Sequence, residues 1–408
     1  MILKSLYNKN KTFSLSHCFG NFLASFLSLN ELLAKWRVAF YILVGIRVQN
    51  IINCVCLFVI FRKTYRRRGV FIWSKQMNYD TVLDGNLGEG GGQVIRTAMT
   101  LSCVLGRSLR IYNVRGGREK PGLQRQHVMS ILAASEICGG KLSGCDINST
   151  EFTFVPGQIK NGDYTFDIGS AGSTILVLQT VVPILWFAAG QSTVRIKGGT
   201  HNGSSPSFDF YAEVFCPLMP VKTECRLLRH GFYPSGGGGV FVKVDPYIKR
   251  LNPLILLDKG MILSSVRTMV HSKAMDVCSK INDGLPESFK CHPVEVDANG
   301  KGMPVLTARF QYSEITEMIS VYHQKDLKTT TEFTNSVSEY LHSTAPVDEH
   351  LADQLLLPLA LVSGGTYRAV SISKYSKHFL TCATIIETFI GSKIHIKPVA
   401  DGYEVRVV

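Results

Sequence analysis

From Tyr79 onward the apolar positions follow a recurring order: a short strand-like run, a glycine turn, then apolar residues spaced three and four apart. In "TVLDGNLGEGGGQVIRTAMTLSCVLG" the glycines lead into a helix whose Val94, Ala98 and Leu101 share a face, with Ile95, Met99 and Ser102 beside them. "LRIYNVRGGREKPGLQRQHVMSILAASEICGG" repeats the order, and its helix is expected to start at Pro121. "FTFVPG" and "YTFDIG" read as the strands of a hairpin, and "GSAGSTILVLQTVVPILWF" as a buried helix led in by Gly and Ser. "TVRIKGGTHNGSSPSFDFYAEVF" repeats the pattern, and "RHGFYPSGGGGVFVKV" closes it with another glycine turn. Spacings of about 30–45 residues predict tandem α/β units rather than one Rossmann domain.

The texture changes near Asn252. Residues 255–340 lack glycine-rich turns and read as a smaller α/β insert: strands in "MILSSVRTMV" and "PVLTARFQYS", helices in "KAMDVCSKINDGL" and "TEFTNSVSEYLHS". "DEHLADQLLLPLALVSGG" returns to the earlier style. The expected organisation is therefore a discontinuous main domain, 77–254 and 341–408, interrupted by an insert at 255–340.

Composition adds two constraints. Apolar residues make up 45% and charged residues 18% of the 408, which suits a folded chain rather than a disordered one. The net charge of +13 suggests nucleic acid, but twelve of the 44 Lys and Arg and one of the 31 acids precede Met77. The remaining 32 bases against 30 acids put the burden on local clusters. Eleven cysteines without a CxxC pair point to reduced thiols in the nucleus or cytoplasm and argue against a zinc site. Residues 39–61 are long enough to span a bilayer, yet contain Arg47, Gln49, Asn50 and Asn53. Residues 1–76 thus read as a dispensable extension or an overextended reading frame, against a membrane anchor or a targeting segment.

Candidate chemistry gathers in two stretches. "GEGGGQVIR" opens a helix with bare backbone N–H groups, an anion site, and Glu89 among its glycines is a candidate metal ligand; a tight turn with a solvated Glu is the plain alternative. "VRGGREKPGLQRQH" places Arg115, Arg118, Lys120, Arg125 and His127 against Glu119 alone, ahead of and inside a helix start. Cations there oppose the helix dipole unless an anion sits among them, so a phosphate pocket competes with a solvated basic face.

"HGFYPSGGGGV", residues 230–240, resembles the signature of the RNA 3′-terminal phosphate cyclase family. "GEGGGQ", "GREKPGLQRQH", "GSAGSTILVLQT" and "HLADQLLLPLAL" resemble the same family in the same order, over about residues 79–408. The resemblance implies a large domain of three βαβαββ-type repeats, like the enolpyruvyl transferases and the C-terminal domain of translation initiation factor 3, with a smaller inserted α/β domain. It implies a ligase that uses ATP and a divalent metal, Mg2+ or Mn2+, to turn an RNA 3′-phosphate into a 2′,3′-cyclic phosphodiester through a histidine–AMP adduct. Carried onto this sequence, the nucleophile is His378. Gln179, Pro206, Phe210, His350, Asp353 and Gln354 belong to the nucleotide pocket. Arg96, Arg115, Arg118, Lys120, Arg125, Gln126 and His127 hold phosphate and RNA, and Glu89 holds the metal. Cys382 stands where Asn is common. The alternative is the cyclase-like branch of the family, a non-catalytic factor in ribosome biogenesis; retention of His378 and of the basic set favours the enzyme. A membrane-tethered binder would require residues 39–61 to be expressed.

Overall fold

The computed structural model of the chain describes residues 79–408, apart from 204, 249–251, 273–278, 280, 284, 295, 297–301, 323–326, 371–376 and 392. The candidate membrane segment lies outside the described residues, as does most of the helix expected in "KAMDVCSKINDGL". No helix among the described residues is long and apolar enough to cross a membrane.

The fold is mixed α/β, and the described residues form four sheets of four strands each. The first holds β1 (Thr81–Asp84), β2 (Leu109–Tyr112), β3 (Lys141–Ser143) and β4 (Phe152–Val155) in the order β1-β2-β4-β3. Helices α1 (Gly92–Leu105) and α2 (Arg125–Cys138) follow β1 and β2. The second sheet holds β5 (Asp163–Asp167), β6 (Ser192–Gly198), β7 (Thr223–Arg229) and β8 (Gly238–Val244), in the order β5-β6-β8-β7. Helix α3 (Thr174–Leu185) follows β5. A helical stretch, α4, follows β6 as Phe208–Phe210, a π turn Tyr211–Phe215, and Cys216–Leu218. The third sheet comprises β9 (Leu254–Leu256), β14 (Gly365–Ala369), β15 (Ile394–Val399) and β16 (Gly402–Val407), with α6 (Glu349–Leu361) and α7 (Lys377–Ile390). In all three the first two strands run parallel and the remaining pairings are antiparallel.

Between β9 and α6 lies the fourth sheet: β10 (Ile262–His271), β11 (His292–Val294), β12 (Val305–Tyr312) and β13 (Thr316–Tyr322), backed by α5 (Leu327–His342). Its buried Val270, Leu306, Ala308, Phe310 and Ile319 meet Phe333, Val337 and Tyr340 of α5, a spacing of four and three that gives α5 one apolar face. Glu317 of β13 is fully buried and joins this layer to α6. Its carboxyl accepts the N–H groups of Met318 at 2.9 Å and Asp348 at 3.2 Å. Asp348 caps α6 by accepting from Leu351 N–H at 2.6 Å. Burial, reinforced by the charge of Asp348, holds the Glu317 pKa well above the usual carboxylate value.

Two expectations fail. "FTFVPG" and "YTFDIG" are not a hairpin, because β4 pairs with β2 and β3 in the first sheet and β5 pairs with β6 in the second. The link between them is fastened to the end of α2: Lys160 N–H donates to Ile137 O at 2.9 Å, and a Cβ on Gly157 would lie 2.4 Å from Cys138 O. Helix α2 starts at Arg125, not Pro121. Gly122 stands at φ +81°, and its N–H and that of Leu123 donate across to Val114 O at 2.8 Å and Ser149 O at 3.0 Å. Those cross-chain bonds exclude helix, so Gln124 becomes the cap, in a reciprocal capping box with His127.

Candidate active site

Glu89 lies in the turn between β1 and α1. Its N–H donates to Thr381 Oγ1 at 3.3 Å, and Thr381 donates to Lys377 O at 2.5 Å. This ties the glycine turn to the first turn of α7, where His378 projects. Glu89 Oε2 then accepts from His378 Nε2 at 2.9 Å and from Arg118 Nη2 at 2.9 Å. The Glu89 side chain is 9% exposed, against 52% for His378 and 41% for Arg118. A buried carboxylate thus holds an imidazole and a guanidinium at the surface. Exposed ion pairs contribute about 0–1 kcal/mol, so this arrangement matters for where it puts the two groups more than for stability.

Two glycines are required by that geometry. Gly88 stands at φ +62°, and a Cβ there would lie 1.9 Å from Thr381 Oγ1. A Cβ on Gly91 would lie 2.2 Å from Glu89 Oε1 and 2.9 Å from Arg118 Nη2.

Charge follows from the contacts. Burial acts to raise the Glu89 pKa, but the His378 hydrogen bond and the charges of His378, Arg118 and Arg96 outweigh it and bring it below the usual carboxylate value. The Glu89 hydrogen bond raises the His378 pKa above the ordinary imidazole value; burial opposes this, and the charges of Glu89 and Asp353 reinforce it. His378 is therefore biased toward imidazolium while Glu89 faces it.

The basic stretch divides. Arg118 also donates from Nε to Gly90 O at 3.4 Å, so it grips the glycine turn. Arg115, at φ +54°, donates from Nη1 to Lys120 O at 2.6 Å and Gly122 O at 3.1 Å, which closes its own loop. Lys120 and Arg125 are exposed. Gln126 accepts Ser173 N–H at 3.0 Å and so binds α2 to the start of α3. His127 is 5% exposed, and its Nδ1 accepts Gln124 N–H at 3.1 Å. Burial, then the charges of Arg96 and Arg115, push its pKa down to about 3. It is a neutral imidazole rather than a further cation. Its Nε2 and Arg96 Nη1 flank Gly92, each within 2.9 Å of where a Cβ would stand.

A cavity beside this hub is lined by Arg96 and Gln93 of α1, Gln179 of α3, Phe215 of α4, and Asp353 and Gln354 of α6. Gln179 donates to Gln354 Oε1 at 2.5 Å. Burial lifts Asp353 to about 6, with His378, His350 and Arg96 pulling it back down. Cys382 also lines the cavity, and burial pushes its thiol up to about 12. Pro206 and Phe210 do not line it: Pro206 is half-buried, and Phe210 is 4% exposed within the main core. The His350 side chain is 73% exposed, with Nε2 3.9 Å from Glu349. Thr381, Gln93 and Phe215 were missed by sequence reasoning. Thr381 alone carried a signal, as the Thr three residues beyond His378. The signature stretch forms the β7–β8 turn, where Ser235 and Gly237–Gly239 line a second depression with Lys197 and Arg229.

The sequence has relatives among known proteins. The profile of the RNA 3′-terminal phosphate cyclase family matches residues 87–396. The RNA 3′-terminal phosphate cyclase of Salmonella typhimurium is 38% identical over 339 residues, covering 80% of this chain and 98% of that protein. The protein of the same name from Ralstonia nicotianae is 39% identical over 340 residues, covering 80% and 96%. The matched span runs from the glycine turn of Glu89 through α7 and into the last hairpin, so it takes in the whole Glu89–Arg118–His378 hub: the chain belongs to the RNA 3′-terminal phosphate cyclase family.

Proposed function

We propose that this protein converts an RNA 3′-phosphate into a 2′,3′-cyclic phosphodiester at the expense of ATP, with His378 as the nucleophile. The observation that carries the proposal is the hub itself, in which His378 and Arg118 share one oxygen of Glu89 at 2.9 Å each, beside a cavity entered from α1 and α6. His378 attacks the ATP α-phosphorus, a nitrogen–phosphorus bond forms and pyrophosphate leaves. The RNA 3′-phosphate oxygen then takes the AMP from the ring. The neighbouring 2′-hydroxyl attacks the activated phosphate, loses its proton and expels AMP.

The residues have distinct tasks. Glu89 orients the ring by accepting its N–H, and attack needs a free nitrogen lone pair, which the ring offers only in its neutral form. Arg118 and Arg96, with the exposed Arg125 and Lys120, neutralise phosphate oxygens as charge moves between them. Gln179, Gln354 and Asp353 offer polar contacts to a nucleoside. Glu89 fits a divalent ion of the Mg2+ kind only as a shared site: it is one carboxylate, and the remaining ligands would be phosphate oxygens and water. When bound there, such an ion supplies Lewis-acid charge to the phosphates. We also assign residues 77–254 and 341–408 to the catalytic domain, and 255–340 to an insert.

Incubation of the chain with ATP labelled at the α-phosphate tests the proposal. One AMP per chain should appear on His378, acid-labile and alkali-stable. His378→Ala should form neither adduct nor cyclic product, whereas His350→Ala should still form the adduct. AMP mapped to His350, His127 or a lysine would overturn the assignment.

A further inference from the structure

Apart from the hub, three imidazoles and a carboxylate meet where the β6–α4 loop faces the end of β10. His201 Nε2 lies 3.1 Å and His271 Nε2 3.0 Å from the same oxygen, Oδ2 of Asp209. One ligand atom from each of the three lies within 4.8 Å of the others, and theirs is the group of that kind found among the described residues. The His230 ring stands 5.1 Å from that of His201 and 6.3 Å from that of His271, centroid to centroid. We propose that His201, Asp209 and His271 form a binding site for a single divalent transition-metal ion of the Zn2+ class, separate from the phosphate site at Glu89.

The donor set comes first. Two imidazole nitrogens and one carboxylate oxygen form a three-ligand set typical of open Zn2+ sites, and imidazole selects against Mg2+. The lack of a CxxC pair in the sequence argued against a thiolate site and leaves a His/Asp site untouched. Bonds of about 2.0–2.1 Å to a tetrahedral ion put donors about 3.4 Å apart. The 3.0 and 3.1 Å contacts need to open by only a few tenths of an ångström.

Charge and orientation agree with this. The Asp209 side chain is 21% exposed, and among the described residues its ion-pair partners are the two imidazoles, with side chains 0% and 6% exposed. A largely buried carboxylate needs partners for its charge, and a divalent cation held between it and the two rings supplies one. On binding, the His201 proton moves to Nδ1, where Thr200 Oγ1 stands 2.8 Å away as acceptor. A ligating histidine is commonly oriented by such a partner on its second nitrogen. Among the described residues the His271 Nδ1 has no partner, and polar contact holds that ring through Nε2, toward Asp209. The partly exposed side of Asp209 leaves room for a water as fourth ligand.

The ion would join two layers, since His201 and Asp209 precede and open α4 while His271 ends β10. Its binding should therefore raise the melting temperature of the full chain. The decisive measurement is titration of the chelator-stripped full chain with Zn2+ against a chromophoric competitor. One equivalent should bind to the wild type and equally to Glu89→Gln. His271→Ala and Asp209→Asn should weaken binding by about a hundredfold or more, since loss of a mere orienting partner costs about 10–100-fold. Wild-type protein loaded with Co2+ should show the intense visible bands of four- or five-coordination, a readout that stands even if both variants misfold. No bound equivalent in the wild type, undiminished binding in His271→Ala, loss of the ion in Glu89→Gln, or a weak octahedral Co2+ spectrum would each overturn the site. None of these outcomes depends on cyclase activity.

Discussion

His378 and Glu89 are coupled through one hydrogen bond of 2.9 Å, and that bond sets the pH at which the ring is available. Glu89 raises the His378 pKa above the ordinary value, and in the role proposed for it the ring can attack only when neutral. Adduct formation should therefore be suppressed at low pH and rise as pH passes through the raised value. Glu89→Gln removes the anionic acceptor and lets the pKa fall, so the acid limb should move to lower pH even as the overall rate drops. A single-turnover pH profile of AMP–protein formation checks this; an acid limb that stays in place would detach His378 from the limiting ionisation.

At the scale of elements, the starts of α1 and α7 are set by the glycine turn between them. Gly91 has an ordinary φ of −113°, so a side chain there strains no backbone. Its Cβ would instead displace the ends of Glu89 and Arg118. Gly91→Ala should thus lower the stability only modestly, by about 1 kcal/mol, the centre of what single substitutions cost. It should cut the adduct-forming rate by about tenfold or more, since the hub would shift by more than catalytic positioning tolerates. Thermal melting alongside the single-turnover rate separates the two. Helix α2 makes the complementary point. Periodicity located it, but Gly122, Val114 and Ser149 moved its start by four residues and turned His127 from an apparent cation into a neutral cap. Nothing local could reveal that, because the deciding bonds come from distant parts of the chain.

For the whole molecule, the hub draws on β1–α1, β2–α2 and α7, which lie between residues 87 and 396, the span of the family profile. A chain beginning at Met77 should accordingly be soluble and form the AMP adduct at the full-length rate; an insoluble or inactive product would restore the anchor reading of residues 39–61. Much was legible before any tertiary structure. The buried faces of α1 and α3, the β10 and β12 strands, the glycine turn of Glu89 and the ordered motifs that carry the family all follow from short-range patterns, because backbone conformation and apolar periodicity are local properties. Partnership between strands is not local. "FTFVPG" and "YTFDIG" alternate as hairpin strands should, yet belong to different sheets. The nucleotide candidates likewise parted: Gln179 and Gln354 share a hydrogen bond across 175 positions, while Phe210 turned into the core and Phe215 reached the cavity through a π turn. His201, Asp209 and His271 carry no spacing motif at all and meet only because β10 packs against the β6–α4 loop. The sequence by itself determined which residue types can bind phosphate and which segments fold as strand or helix. Only tertiary structure decided which of those groups lie within 3 Å of one another, since that depends on long-range packing rather than on neighbouring residues.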